Sequence, residues 1–344
     1  MDSKEKTIRT DADNDHRGTP MPTGEIKATL ERAKRVLVVS HIDPDGDALG
    51  TQLAFGEYLR SLGKEVILAR DSAIPDKYAF LPDVDTIVPV SAMPDDIGID
   101  TAVILECPTL DRTGGVKKYL SGDVILVNID HHQDSASFGA VNWINVGASS
   151  VGEMAYEYLT EVGFDISRKV ATDLYTAILT DTGRFRFPST TKRTMIVAGD
   201  LIALGADPRT ICDQVYYNMQ PTTMLLTGRV LNSMEYHNGG RICLLTLTRR
   251  MLVETGARES ESDGLVDFTL FTQGVVTGAL LKEIDPQTTK VSLRSNNGVN
   301  VSEIAARFGG GGHVNASGCH VPLPLNEAKA EIVAALKEAD GLAS

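Results

Sequence analysis

Aromatic side chains are scarce in this chain: they make up 6% of its 344 residues, and there is a single tryptophan. Cysteine is scarcer still. The four, Cys107, Cys212, Cys243 and Cys319, lie far apart with no Cys-x-x-Cys pair, which argues against a disulfide framework or a zinc ribbon and predicts reduced thiols. No apolar run approaches the roughly 18 residues of a membrane span, and the N-terminus lacks the basic-then-apolar order of a secretory signal. A cytoplasmic protein with no membrane partner is therefore expected. Positive charge is in deficit too, with 33 Lys and Arg against 46 Asp and Glu for a net charge of −13. Long nucleic acids are held by basic surfaces that displace counterions, so a long duplex is not an expected partner. Small phosphorylated molecules stay open, because carboxylates that gather divalent cations create a locally positive site.

What is present fits an ordinary soluble protein, with 42% hydrophobic and 23% charged residues and enough length for two domains. Residues 1–24 hold few large apolar side chains and read as a disordered tail. From residue 35 short apolar runs recur at 36–39, 66–69, 102–105 and 124–129, separated by loops and by stretches of helical spacing such as 48–62. That order predicts an α/β domain over about 25–215, a mostly parallel sheet with helices on both faces. A linker at 216–225 leads to a smaller mixed α/β domain over 226–340, with strands at 242–248, 275–282 and 290–294. The active cleft is expected between the two domains, and a homodimer stays open.

Three predicted strands end in residues able to bind metal: His41 after the first, Glu106 after the third, and Asp130-His131-His132 after the fourth. Ligands in open α/β sheets collect at that edge. His41 is followed by Ile-Asp-Pro-Asp-Gly-Asp, a bent loop carrying Asp43, Asp45 and Asp47, and Asp181 follows a helix at 170–180. Each piece has a plain structural alternative: a turn with Asp47 as helix cap, a surface His pair, a helix end at Gly183. Together they are hard to explain that way, since clustered carboxylates repel one another without a cation. Imidazole and carboxylate without thiolate suit manganese, with magnesium or cobalt as alternatives, and this many acids suit two ions. Asp130 or Asp43 is a candidate to hold the second nitrogen of a ligating imidazole.

These motifs, His-Ile-Asp-Pro-Asp-Gly-Asp-Ala (41–48), Asp-His-His (130–132), Ser-Ser-Val-Gly-Glu (149–153), Thr-Asp-Thr-Gly-Arg-Phe (180–185) and Gly-Gly-Gly-Gly-His-Val-Asn-Ala-Ser-Gly (309–318), make the chain resemble the DHH-family phosphoesterases with a DHH-associated C-terminal domain. In layout it is similar to the NrnA-type nanoRNases and 3′-phosphoadenosine 5′-phosphate (pAp) phosphatases. The resemblance implies that His41 and Asp45 bind one ion, that Asp47, His131 and Asp181 help bind or bridge the second, and that His132 lies beside the scissile phosphate with Asp130 in the same motif. It also implies a departure, because the family normally presents a bridging Asp where this chain has Glu106.

The glycine run lets backbone amides approach a phosphate, and Arg294 and His313 are candidates to add charge. Gly310, Gly311, Gly312, His313 and Ser317 fall within a segment that matches the family's substrate-recognition domain. Short oligoribonucleotides, pAp or other small nucleotides are the implied partners. A cyclic- or linear-dinucleotide phosphodiesterase, a RecJ-like exonuclease, a polyphosphatase and a non-catalytic nucleotide sensor remain as alternatives. Trp143, Phe185 and Phe187 read as core residues.

Overall fold

The computed structural model describes residues 20–296 and 298–342. Most of the tail read at residues 1–24 lies outside them, and the first helix, α1 (Thr23–Arg32), takes up its last two residues. The chain divides into two compact units, Met1–Asn218 and Met219–Ser344. No helix among the described residues is long and apolar enough to cross a membrane.

The first unit continues with β1 (Arg35–Val39), α2 (Gly46–Ser61), β2 (Glu65–Arg70), β3 (Ile87–Pro89), β4 (Thr101–Leu105), β5 (Ile125–Asp130), β6 (Val141–Ile144), α3 (Val151–Glu161), α4 (Arg168–Asp181), α5 (Lys192–Ala203) and α6 (Pro208–Tyr216). All six strands are parallel, in the order β3-β2-β1-β4-β5-β6. This is the doubly wound order, in which the winding direction reverses between β1 and β4 and opens a crevice at their carboxyl ends. Val36 to Val39 and Thr101 to Leu105 are buried throughout, as expected of central strands covered on both faces. One core gathers Phe55, Tyr58, Trp143 and Tyr158; the opposite face is filled by Leu37, Val39, Ile104 and Val116.

Glycines set how closely the helices pack. A Cβ on Gly50 would collide with the backbone carbonyl of Asp173 in α4, and one on Gly152 would sit 2.5 Å from Cβ of Ala177. Helices α2, α3 and α4 therefore approach through bare backbone, which brings the N-termini of α2 and α3 beside the C-terminal half of α4.

The second unit comprises α7 (Pro221–Leu231), β7 (Glu235–His237), β8 (Ile242–Leu247), α8 (Arg249–Thr255), β9 (Thr277–Asp285), β10 (Thr288–Ser295), α9 (Val301–Arg307), β11 (Gly311–His313), β12 (Ala316–Val321) and α10 (Leu325–Leu342). Its sheet runs β11-β12-β10-β9-β8-β7 and is antiparallel except for the β8–β9 pair. Alternate residues of β10, Val291 and Leu293 among them, enter a core with Val301, Ile304, Ile332 and Leu336. The glycine run is part of this sheet, not a free linker: Gly311 and Gly312 pair with Gly318 and Ser317 across β11 and β12.

Candidate metal centre

The crevice at the β1–β4 reversal is where the chemistry-bearing residues converge. His41 follows β1, Glu106 follows β4, and Asp130 is the last residue of β5, with His131 and His132 beyond it. The loop after β1 turns at Asp43, whose φ of +55° is left-handed, and delivers Asp45 as N-cap of α2, its Oδ1 accepting the Ala48 N–H at 3.0 Å. Asp45, rather than Asp47, thus caps the helix. Asp47 is fully buried and serves another helix: its Oδ2 and Oδ1 accept the N–H groups of Val151 and Gly152, each at 2.7 Å, and Thr51 donates to it at 3.2 Å. The N-terminus of α3 carries partial positive charge, which holds this carboxylate in place. Asp181 closes α4, with Gly183 left-handed just after it.

Two groups of three possible ligands result. His41, Asp45 and Glu106 form one, Asp47, His131 and Asp181 the other, with the ligand atoms of each group mutually within 4.8 Å. Glu106 also groups with His131 and His132 on the same criterion, so its carboxylate joins the two. The individual approaches are 3.5 Å from His41 Nε2 to Glu106 Oε2, 4.0 Å from His41 Nε2 to Asp45 Oδ1, and 3.5 Å from His131 Nε2 to Asp181 Oδ2. Backbone carbonyls orient two of the rings: His41 Nδ1 lies 2.7 Å from the Ile42 oxygen and His131 Nδ1 3.3 Å from that of Ala148. Asp130 orients the third, with Oδ1 2.7 Å from His132 Nδ1 while also accepting the His131 N–H at 2.9 Å. Asp43 is exposed and takes no part in this; its N–H donates to Ser72.

The electrostatics of this cluster call for a cation. Burial, reinforced by Asp45, Asp47, Asp181 and Asp130, drives the Glu106 carboxyl well above its ordinary range. Burial likewise lifts Asp181 well above its range, with Asp47 and Asp45 adding to it, and raises Asp47 to about 6 against the attraction of His131. Asp130 differs: burial works to raise it, but the hydrogen bond and charge of His132 hold it below its ordinary value. Glu106 Oε2 and Asp130 Oδ2 are buried without a hydrogen-bond donor. Orphaned buried carboxylate oxygens at the junction of acid–imidazole groups fit divalent cations, which take oxygen and imidazole ligands and cancel the repulsion. Glu106 has φ of +56°, uncommon for a residue with a Cβ, and its N–H is tied to the Ile129 oxygen at 3.0 Å. Strain of about 1–3 kcal/mol is the usual cost of such a backbone, and it accumulates at functional sites.

In the second unit, Arg294 and Ala316 are register partners, as are Ala316 and His313. The three therefore form one row across β10, β12 and β11, opposite the core-facing residues, with Arg294 and His313 roughly 10 Å apart by strand spacing. The Arg294 guanidinium is held by Asp267 at 2.8 Å. Ser317 donates to the His313 carbonyl at 2.7 Å. Gly310 and Gly312 have packing reasons of their own: a Cβ on Gly310 would meet the Gly318 carbonyl, and one on Gly312 would sit 2.6 Å from the Ala316 oxygen. Gly311 faces open space.

Comparison with known proteins bears on this arrangement. The family profile described as "DHH family, N-terminal domain" matches residues 35–178, and that of the "DHHA1 domain" matches 241–340. The bifunctional oligoribonuclease and PAP phosphatase NrnA of Thermus thermophilus is 33% identical over 305 residues, covering 88% of this chain and 89% of that protein. The chain belongs to the DHH family. The NrnA protein of Bacillus subtilis is 29% identical over 86% of this DHH chain and 92% of its own length. The crystal structure of an exopolyphosphatase-related protein from Bacteroides fragilis superposes with a TM-score of 0.88 at 28% identity, covering 93% of this chain and 97% of that one.

Within the DHH unit, several supporting residues had no role assigned by the sequence reading, Glu153 among them although it closes the 149–153 motif. Glu153 Oε2 accepts from Ser149 at 2.5 Å and from Thr194 at 2.7 Å, fixing the turn whose amides hold Asp47. The signal for it was the Ser150–Glu153 spacing of a helix start; Ser150 is the N-cap. Tyr78, buried at the end of a short 3-10 turn, has its hydroxyl pushed well up by burial and then by nearby Asp45. Nothing in the sequence pattern marked it. Phe187 corrects the expectation of a core residue, for it is 38% exposed, whereas Trp143 is buried and Phe185 is half-buried against the core.

Proposed function

We propose that this DHH protein is a metal-dependent phosphoesterase that removes a phosphate from pAp to give AMP and hydrolyses short oligoribonucleotides. The observation that carries the reading is the joining of two acid–imidazole groups through Glu106. His41, Asp45 and Glu106 would hold one divalent cation and Asp47, His131 and Asp181 the other, with manganese first among the candidates. Bound there, the cations supply Lewis acidity, neutralising phosphoryl oxygens and lowering the pKa of a water. Asp130 fixes the orientation of the His132 ring through Nδ1. As water attacks phosphorus and the P–O ester bond breaks, His132 is the group positioned to pass a proton to the departing oxygen. The α3 amides keep Asp47 from turning away.

The Thermus and Bacillus relatives named as oligoribonuclease and PAP phosphatase support the substrate class. The Arg294–Ala316–His313 row supports a second contact for a nucleotide phosphate, with Gly310, Gly311 and Gly312 leading into it and Ser317, on the opposite face beside Leu293, holding the His313 carbonyl. The four free cysteines suit a reducing compartment such as the cytoplasm. Parallel assays of the purified protein with manganese on pAp, a dinucleotide, a five-residue RNA, cyclic di-AMP and polyphosphate test the reading. Turnover confined to cyclic di-AMP or polyphosphate would contradict it.

A further inference from the structure

Immediately after Asp181 the chain makes an unusual turn. Gly183, Arg184 and Phe185 all have positive φ, +55°, +65° and +61°, two of them with side chains that disfavour it. The turn is pinned to the last turn of α4: the Arg184 N–H donates to the Leu179 oxygen at 2.8 Å, the Phe185 N–H to Thr182 Oγ1 at 3.0 Å, and the Phe187 N–H to the Thr182 oxygen at 2.9 Å. Its geometry relative to Asp181 is therefore fixed. Phe185 turns inward, edge-on to Tyr175. Phe187 does not; its ring packs against the bare Cα of Gly183, where a Cβ would fall within 2.7 Å of Cζ, Cε1 and Cε2, and the remainder stays open to solvent. Arg184 and Arg186 are exposed, the first stacked 4.7 Å from the centroid of Tyr216 and the second 5.6 Å from that of Phe187. Neither makes an ion pair with a described carboxylate, in a chain of net charge −13.

A single exposed phenylalanine needs no explanation by itself. Here it comes with two guanidiniums left without acidic partners, on a strained turn that the carboxylate-rich centre adjoins. Without cations that centre repels a phosphate; these guanidiniums attract one. We infer that the turn from Gly183 to Phe187 is a nucleobase subsite: Phe187 stacks a purine or pyrimidine of the substrate, and Arg184 and Arg186 counter the charge of its phosphate. Aromatic rings stack any base, so the subsite favours nucleotides over other phosphate esters without selecting sequence. The inference rests on the reading of the protein as a nucleotide phosphoesterase.

The test compares pAp with ribose 3,5-bisphosphate, which offers the same phosphates and no base. For Phe187→Ala, the ratio of kcat/KM on pAp to kcat/KM on ribose 3,5-bisphosphate should fall about 5- to 150-fold. Phe187→Leu keeps an apolar side chain and should lower the ratio similarly, while Phe187→Trp should restore it. Arg184→Ala with Arg186→Ala should weaken both substrates together. A ratio unchanged in Phe187→Leu, in a wild-type protein that turns over pAp, would overturn the subsite alone. A wild-type protein that turns over neither compound would overturn the phosphoesterase reading and the subsite with it.

Discussion

The carboxylate of Asp47 accepts the backbone N–H of Gly152 at 2.7 Å, joining the first turns of α2 and α3 across 105 residues of sequence. Gly152 in turn lies against Ala177 of α4, the helix that ends in Asp181. One glycine thus governs the spacing between Asp47 and Asp181, two members of the same group of possible ligands. Gly152→Ala should cost about 1–3 kcal/mol of stability through overpacking and, beyond that, lower metal affinity. Gly199→Ala, on an open face of α5, should instead stabilise by about 0.5–1 kcal/mol and leave metal binding alone. Urea denaturation with a manganese titration of each variant checks both.

Glu106 shows how two consequences of one residue separate. Its carboxylate is crowded by Asp45, Asp47, Asp130 and Asp181, so Glu106→Gln should stabilise the metal-free protein while shrinking the rise in Tm that added manganese produces, and activity should fall at least tenfold. Glu106→Asp should keep most of the activity. Wild-type activity and metal response in Glu106→Gln would remove the residue from the ligand set.

Much of this was legible in the chain itself. Buried parallel strands announce themselves as apolar runs, so β1, β2, β4 and β5 and the strand-end residues His41, Glu106 and Asp130 to His132 could be read directly. Strands β3 and β6, of three and four residues, are too short for periodicity to register. The hold on Asp47 was also hidden, because its donors are backbone amides of Val151 and Gly152, which any sequence supplies. Phe187 was misread because it alternates with Phe185 across Arg186, a pattern in which both rings look like core unless the turn is known.

Asp173, buried in α4 with Oδ1 lacking a hydrogen-bond partner, provides a pH test away from the metal centre. Burial, with Glu57 and Asp83 adding to it, raises its carboxyl well above the ordinary range. The folded protein then holds this proton more tightly than the unfolded chain. The resulting stability is full below the unfolded pKa of about 3.9 and is lost as pH rises toward the folded value. Asp173→Asn should therefore have a higher Tm than wild type at pH 7–8, with the gap closing near pH 4. Parallel Tm–pH curves for the two proteins would contradict this.

Arg294 shares its row with Ala316 and His313, and Arg294→Ala should raise KM for pAp and dinucleotides about 10- to 100-fold, as loss of a charge-assisted phosphate contact does. Metal binding should be unaffected. If the row grips one terminal phosphate, added nucleotides bring repulsion from a −13 chain more than contact. Across RNAs from two residues to about thirty at fixed salt, kcat/KM should fall with length; a steady rise would favour a RecJ-like exonuclease.

The most direct test of the central claim is phosphate release from pAp by metal-stripped protein as manganese is titrated back. The cluster joined by Glu106 predicts no turnover without metal and activity that climbs to a plateau near two equivalents per chain, with none recovered in His131→Ala or Asp181→Ala. Full turnover in the presence of a chelator, or in either of those variants, would contradict it.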